Sequence, residues 1–273
     1  MKAETISYVV APYEADAQLA YLERIGLING ILTEDSDLLV FGCQNVLLKL
    51  DTVSSTVVSI TRNDFGSVTA SGPDSNDISL VGWSDVQFRA MAILSGCDYL
   101  PSIPGIGLKT ACTLLRKWKT VEQVLKVIRL EGKKSIPEGY LRRFRLAEKC
   151  FLHQRVYCPK QEKLVHLTEV DKDWSSEDEA YVGRWVISIF LGLIFQLRCS
   201  DLEPSLAKQI AVGDIDPTTL LPMDDINVDF VPRGLKSLVF TSKETNRQDK
   251  GESKAKDTPV KEGILSFFGL LNS

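Results

Sequence analysis

Along the first part of the chain, short apolar runs alternate with stretches of helical spacing. Residues 7–11 are β-branched and apolar and stop at Pro12; Ala15, Leu19 and Leu22 then recur at helical spacing until Gly26. This predicts a strand followed by a helix. Residues 27–32 predict a second short strand, residues 38–41 a helical turn closed by Gly42, and residues 46–50 a third strand. Strand, helix, strand, short helix, strand in this order predicts a parallel sheet, because parallel neighbours need crossover connections.

Beyond this α/β segment (residues 1–65), residues 66–82 are rich in Ser, Gly, Asp and Pro without an apolar period and predict a loop. The next region, 83–168, predicts helices. One runs over 84–95 on Phe88, Met91, Ala92 and Leu94, with Ser84 as its cap. Others run over 108–118, 121–131 and 137–157. In the following extension, 169–240, residues 185–197 form a nearly unbroken apolar run. It is too short to cross a bilayer comfortably and predicts a buried helix within an unusual apolar insertion, 184–200. The tail, 241–273, is polar and charged over 243–262, which predicts disorder, and turns apolar again over 263–271.

At 44% hydrophobic and 25% charged, the 273 residues have ordinary globular composition, enough for one main core with appendages. No signal-peptide pattern follows Met1-Lys2, so an intracellular protein without a membrane partner is expected. The six cysteines are scattered, none in a C-x-x-C pair, and His153 and His166 are the only histidines; no zinc spacing can be assembled, and reduced, mostly buried thiols are expected. The net charge of −4 is unevenly spread, for residues 101–160 hold 14 Lys and Arg against 4 Asp and Glu. Such polarity suits a basic face for a polyanion beside an acidic region with another task, though two differing solvated surfaces give the same tally.

Candidate chemistry enters with the acidic side of that split. Glu14 and Asp16 follow the first predicted strand, and Asp35 and Asp37 follow the second, so a parallel sheet would carry both pairs to one C-terminal edge, where open α/β sheets hold ligands. Carboxylates crowded together repel unless a cation intervenes, and oxygen donors at this density suit Mg²⁺ or Mn²⁺. Asp98 is a fifth candidate ligand. Such a site supports two-metal hydrolysis of a phosphodiester. Two alternatives stand beside it: acidic residues that merely cap helices and meet their dipoles, and a phosphatase that uses a D-x-D at a strand end.

Gly105 and Gly107 stand directly before a predicted helix, where bare backbone N–H groups can approach a phosphate. With Lys109, Arg116 and Lys117 downstream, the segment suits binding of a nucleic-acid backbone without regard to sequence; a tight interhelical turn with no ligand is the alternative. In the tail, Ile264, Phe267 and Phe268 have the spacing of a short peptide that docks on a sliding clamp, with Lys261 where the usual leading Gln would stand.

Three blocks together, Ala11-Pro12-Tyr13-Glu14-Ala15-Asp16-Ala17-Gln18, Thr33-Glu34-Asp35-Ser36-Asp37-Leu38-Leu39, and Leu94 to Leu100 with Gly105-Ile106-Gly107, resemble the internal nuclease region of the flap endonuclease and exonuclease 1 superfamily. Ser36-Asp37-Leu38-Leu39, Phe41-Gly42-Cys43 and Ser95-Gly96-Cys97 look closer to the exonuclease 1 branch. The resemblance implies a partial, PIN-like 5′ nuclease α/β core followed by a helix-two-turn-helix region. It also implies two Mg²⁺ ions held by Glu14, Asp16, Asp35, Asp37 and Asp98, a potassium ion at Ser95, Ser102 and Ile106, and duplex DNA with a 5′ end or flap gripped at Gly105 and Gly107. The implied function is 5′ to 3′ exonuclease or 5′ flap endonuclease action in nuclear DNA repair, with mismatch-repair proteins and a sliding clamp as partners. A non-catalytic DNA-binding module is the alternative. The family's preceding nuclease half, with further metal-binding aspartates and a catalytic lysine and arginine, has no counterpart after Met1, so little or no cleavage by this chain alone is expected.

Overall fold

The computed structural model describes residues 6–69, 78–170, 172–182 and 202–223. The apolar insertion 184–200 and the tail with Ile264, Phe267 and Phe268 lie outside these residues.

The first apolar run is extended but joins no strand ladder among the described residues. Its backbone is taken up by the far end of the chain: Val10 N–H donates to Ala211 O at 3.0 Å, and the Tyr8 hydroxyl donates to Val212 O at 2.6 Å. Alternating β-branched residues favour extension, but they do not supply a partner strand. The predicted first strand is therefore corrected to an extended lead into α1 (Ala15–Arg24), which buries Ala17, Gln18, Ala20 and Tyr21.

After α1 come β1 (Ile31–Leu32), α2 (Asp37–Val40), β2 (Asn45–Asp51) and β3 (Thr56–Thr61). β1 runs parallel to β2, pairing Ile31 with Val46, as the crossover through α2 demands. β3 returns antiparallel, pairing Ile60 with Val46, so the three-stranded sheet is mixed rather than parallel throughout. The cause is the short turn between β2 and β3, where Asp51 Oδ1 accepts from Val53 and Ser54 N–H at 2.8 and 3.2 Å and folds the chain straight back.

A 3₁₀ helix over Arg62–Ser67 follows, closed by a reciprocal Thr61–Asp64 cap. Arg62 joins the sheet to the helices: its guanidinium lies over Phe65 and Phe88 at 4.5 and 5.1 Å, bonds Asp85 at 2.9 Å, and caps the Leu39 carbonyl of α2 at 2.9 Å. Helices α3 (Asp85–Ser95), α4 (Leu108–Trp118), α5 (Val121–Glu131) and α6 (Tyr140–His153) then fall close to the predicted spans. α3 begins at a capping box of Ser84 and Gln87.

The last predicted helix ends early, at His153, because residues 155–158 pair instead. β4 (Arg155–Cys158) and β5 (Lys163–His166) form an antiparallel hairpin, followed by α7 (Ser176–Tyr181) and α8 (Pro204–Ala211). One core runs from the sheet into the helices through Ile31, Leu38, Ile60, Phe88, Met91, Ile93 and Phe151, each nearly devoid of solvent contact. Among the described residues no helix is long and apolar enough to cross a membrane.

Candidate metal centre and phosphate-binding turn

Each acidic residue is set by a different local device. Glu14 is the residue at the N-terminal boundary of α1, yet its side chain makes no capping bond, and Asp16 lies in the first turn of the same helix. Asp35 folds an Asx turn, its Oδ1 accepting the Asp37 N–H at 2.8 Å, which starts α2 at Asp37. The helix-capping explanation thus holds for Asp35 and fails for Glu14. Asp98 and Tyr99 occupy a two-residue turn after α3, closed by Cys97 N–H to Leu100 O at 3.0 Å and the reverse bond at 3.1 Å.

These separate devices bring the five carboxylates within range of one another's charge. Burial, then Asp35 and Asp98, pushes Asp16 up to about 6. Burial, then Asp35, Asp98, Asp16 and Glu14, pushes Asp37 up to about 7. Glu14 is also raised, first by burial, although the hydrogen bond from Tyr99 and the neighbouring Gln154 amide pull it back. Asp35 and Asp37 follow β1, which pairs parallel with β2, as expected, whereas Glu14 and Asp16 follow a segment that joins no strand ladder among the described residues. The meeting point lies where the start of α1, the start of α2 and the turn after α3 converge.

The donor chemistry fits a hard divalent cation: carboxylate oxygens, half-buried at Glu14, Asp16 and Asp37 and exposed at Asp35 and Asp98, with the largest charge effects on Asp37 all coming from other carboxylates. The spacing is wider than a closed coordination sphere, for among the described residues no three acidic, histidine or cysteine side chains stand close enough around one point to ligate one ion.

The glycine turn is ordered by a lysine that the spacing did not single out. Gly105 holds φ +79, and its carbonyl accepts from Lys134 Nζ at 2.7 Å. Gly105→Ala puts a Cβ on a left-handed backbone and on the lysine, so it is expected to lower the unfolding free energy by about 1–2 kcal/mol in urea titrations. Gly107 bounds α4 without a side-chain cap, which leaves the start of that helix to its backbone. Lys117 lies over the Trp118 ring at 5.0 Å. One guanidinium nitrogen of the exposed Arg116 bonds the Ser79 carbonyl and tethers α4 to the segment before α3.

Nearby, α3 ends on Gly96 with φ +106, where an added Cβ would sit 3.3 Å from Ser102, and Ile106 is buried. The Ser95 hydroxyl itself donates to Ala92 O at 2.7 Å. Part of the basic excess of residues 101–160 is spent in ion pairs, Arg145 with Glu122 at 3.1 Å, Lys149 with Asp178 at 2.6 Å, Arg142 with Glu177 and Arg155 with Glu179. The sequence reading overlooked Tyr99, Gln154 and Lys134. Only Tyr99 carried a signal, its place beside Asp98 in the third block.

Residues 5–98 match the XPG I-region family. The chain is 38% identical to exodeoxyribonuclease 1 of Schizosaccharomyces pombe over 82% of its own length and 35% of that protein, and 36% identical to exonuclease 1 of Oryza sativa subsp. japonica over 100% and 29%. It spans about a third of the length of these curated relatives. Among solved structures it is similar to flap endonuclease-1 from Methanococcus jannaschii, with 26% identity and a TM-score of 0.39 over 53% of this chain and 40% of that one. The acidic blocks fall in or at the end of the matched region, and the exonuclease 1 relatives extend the likeness through the helices. The chain belongs to the XPG and flap endonuclease superfamily of 5′ nucleases.

Proposed function

We propose that this chain supplies the metal-binding acidic cluster and the duplex-gripping turn of a structure-dependent 5′ nuclease, acting as a 5′ to 3′ exodeoxyribonuclease or 5′ flap endonuclease in nuclear DNA repair. The observation that carries it is the convergence of Glu14, Asp16, Asp35, Asp37 and Asp98 from three separate elements into one shared field of charge. These side chains would hold two Mg²⁺ ions, with Mn²⁺ as a substitute; such ions activate a water and stabilise the leaving oxygen of a phosphodiester. Gly105, Gly107, Lys109 and Lys117 would grip the duplex backbone. Ser95, Ser102 and Ile106 would hold a potassium ion, and Ile264, Phe267 and Phe268 would dock on a sliding clamp. Mismatch-repair proteins are further partners on this reading.

Calorimetric titration with Mn²⁺ tests the proposal. Asp37→Asn and Asp35→Asn are expected to weaken cation binding at least about ten-fold, while salt-sensitive binding to a duplex with a recessed 5′ end stays within about two-fold. Asn at position 35 keeps the acceptor that starts α2, so loss of binding there reports lost charge rather than a lost turn. Cation affinity unchanged by both substitutions overturns the proposal. A second reading, a DNA-binding module without chemistry, is favoured by the open spacing of the acids. It predicts duplex binding with no cation binding in the unaltered chain.

A further inference from the structure

The acidic cluster has a support that touches only one of its members. Tyr99 Oη donates to Glu14 Oε2, which leaves Oε1 as the oxygen available to an ion. The phenol is held from three sides: by its two-residue turn, by Tyr181 Oη on its own carbonyl at 3.3 Å, and by its ring standing edge-on to Phe151 at 4.9 Å. Phe151 is itself buried against Phe41 at 5.0 Å. Burial pushes the phenol far above its usual range, so it stays a donor at any working pH.

Beside the same carboxylate lies Gln154, which has no solvent contact at all. Its Oε1 accepts the Arg155 N–H at 3.1 Å, which fixes the amide plane and leaves Nε2 on the side of Glu14 and Tyr99. That Nε2 is buried beside the carboxylate and completes no hydrogen bond. A buried amide donor left unpaired is costly, so its presence needs a reason. A core residue at the joint between α6 and β4 need only be apolar to pack; a polar one aimed at a carboxylate serves that carboxylate.

We propose that Tyr99 and Gln154 are positioning residues: Tyr99 holds Glu14 by Oε2, the Gln154 amide steadies the same carboxylate from beside it, and Oε1 is presented to the cation. The inference rests on the metal-binding reading above and adds to it a division of labour: Glu14, like Asp35 in its Asx turn, enters with one oxygen already engaged, whereas Asp16, Asp37 and Asp98 adjust around the ion. It also explains why Glu14, placed to cap α1, does not do so. Fixing one donor in advance reduces the rotamer freedom lost when an ion binds.

The test is a double-mutant cycle read by Mn²⁺ titration of the full chain. Tyr99→Phe keeps the ring and its packing on Phe151, and Gln154→Met keeps the volume of the amide. Each is expected to weaken Mn²⁺ about three- to ten-fold. In a Glu14→Gln background neither is expected to weaken it further, because both act through the Glu14 carboxylate. A purely structural role would lower thermal stability equally in both backgrounds and leave the cation affinity alone. If the unaltered chain binds Mn²⁺ and Glu14→Gln weakens it, but Tyr99→Phe and Gln154→Met do not, this inference falls and the metal-binding reading stands. If both variants weaken Mn²⁺ equally with and without the Glu14 carboxylate, the inference also falls. Absence of Mn²⁺ binding by the unaltered chain removes both.

Discussion

In the presence of a chelator, raising the pH from 5 to 8 is expected to lower the thermal midpoint of this chain by about 10 °C, and Mg²⁺ is expected to restore most of the loss at pH 8 and little at pH 5. The sign follows from the direction of the shifts. Asp16 is pushed from 3.8 to about 6 and Asp37 from 3.8 to about 7, each first by burial and then by neighbouring carboxylates. The folded chain therefore holds these protons more tightly than the unfolded one. Their stabilising contribution is complete below about pH 4 and is lost as the pH rises through about 6 and then about 7. For Asp37 alone the loss is on the order of 4 kcal/mol by pH 8; Asp16 contributes less than its shift suggests, since it is partly solvated and screened. A divalent cation reverses the balance, because it binds the ionised carboxylates and competes with protons for them. Asp37→Asn is expected both to flatten the pH dependence and to reduce the gain from Mg²⁺. Scanning fluorimetry at the two pH values measures this, and an equal Mg²⁺-induced shift at pH 5 and pH 8 would contradict a carboxylate site.

What could be read from the order of residues, and what could not, divides along the range of the interactions. Helices α3, α4 and α5 were legible because their determinants are local: Ser84 with Gln87 at one start, Thr120 accepting from the Gln123 N–H at another, apolar positions at 3.6 spacing between. β3 went unread although Thr56, Val57, Val58 and Ile60 are β-branched, β4 was absorbed into the end of a helix, and β5 went unread. Whether Val156 and Tyr157 continue a helix or pair with Val165 and Leu164 is decided by that partner, not by their own propensity. Residues 7–11 failed the other way, for a strand-like pattern found its hydrogen bond on α8. The five carboxylates were legible as motifs, but the explanation for their meeting was legible only for Asp35 and Asp37, which follow a parallel strand: the start of a helix and a two-residue turn bring Glu14, Asp16 and Asp98 to them. Gln154 left no signal, since its relation to Glu14 exists only once the chain has closed on itself.

That closure depends on Gln18, and Gln18→Leu is expected to cost about 3–5 kcal/mol of unfolding free energy. Gln18 is 3% exposed, and its amide binds the backbone of Tyr157 at both ends, Nε2 donating to Tyr157 O and Oε1 accepting from Tyr157 N–H, each at 2.8 Å. Tyr157 pairs with Leu164 on its other side, so the glutamine acts as a third strand, one residue long, on the open edge of β4. Leucine fills the same space without the pairing. It strands a buried N–H and a buried C=O, each costing about 1–3 kcal/mol. Gln18→Glu is expected to be worse still, because it sets a carboxylate against the Tyr157 carbonyl in a site without water. Urea unfolding would show a lower midpoint with an unchanged slope, and hydrogen exchange would show faster exchange at the Tyr157 amide. A protected Tyr157 amide in Gln18→Leu would refute the strand-like role. The backbone N–H of Gln18 bonds Glu14 O at 3.2 Å and is kept in the leucine variant, so the effect on Glu14 and Asp16 comes through the lost anchor of α1 on Tyr157. Cation affinity is therefore expected to fall together with stability, whereas a core truncation remote from α1, such as Val124→Ala in α5, would lower stability alone.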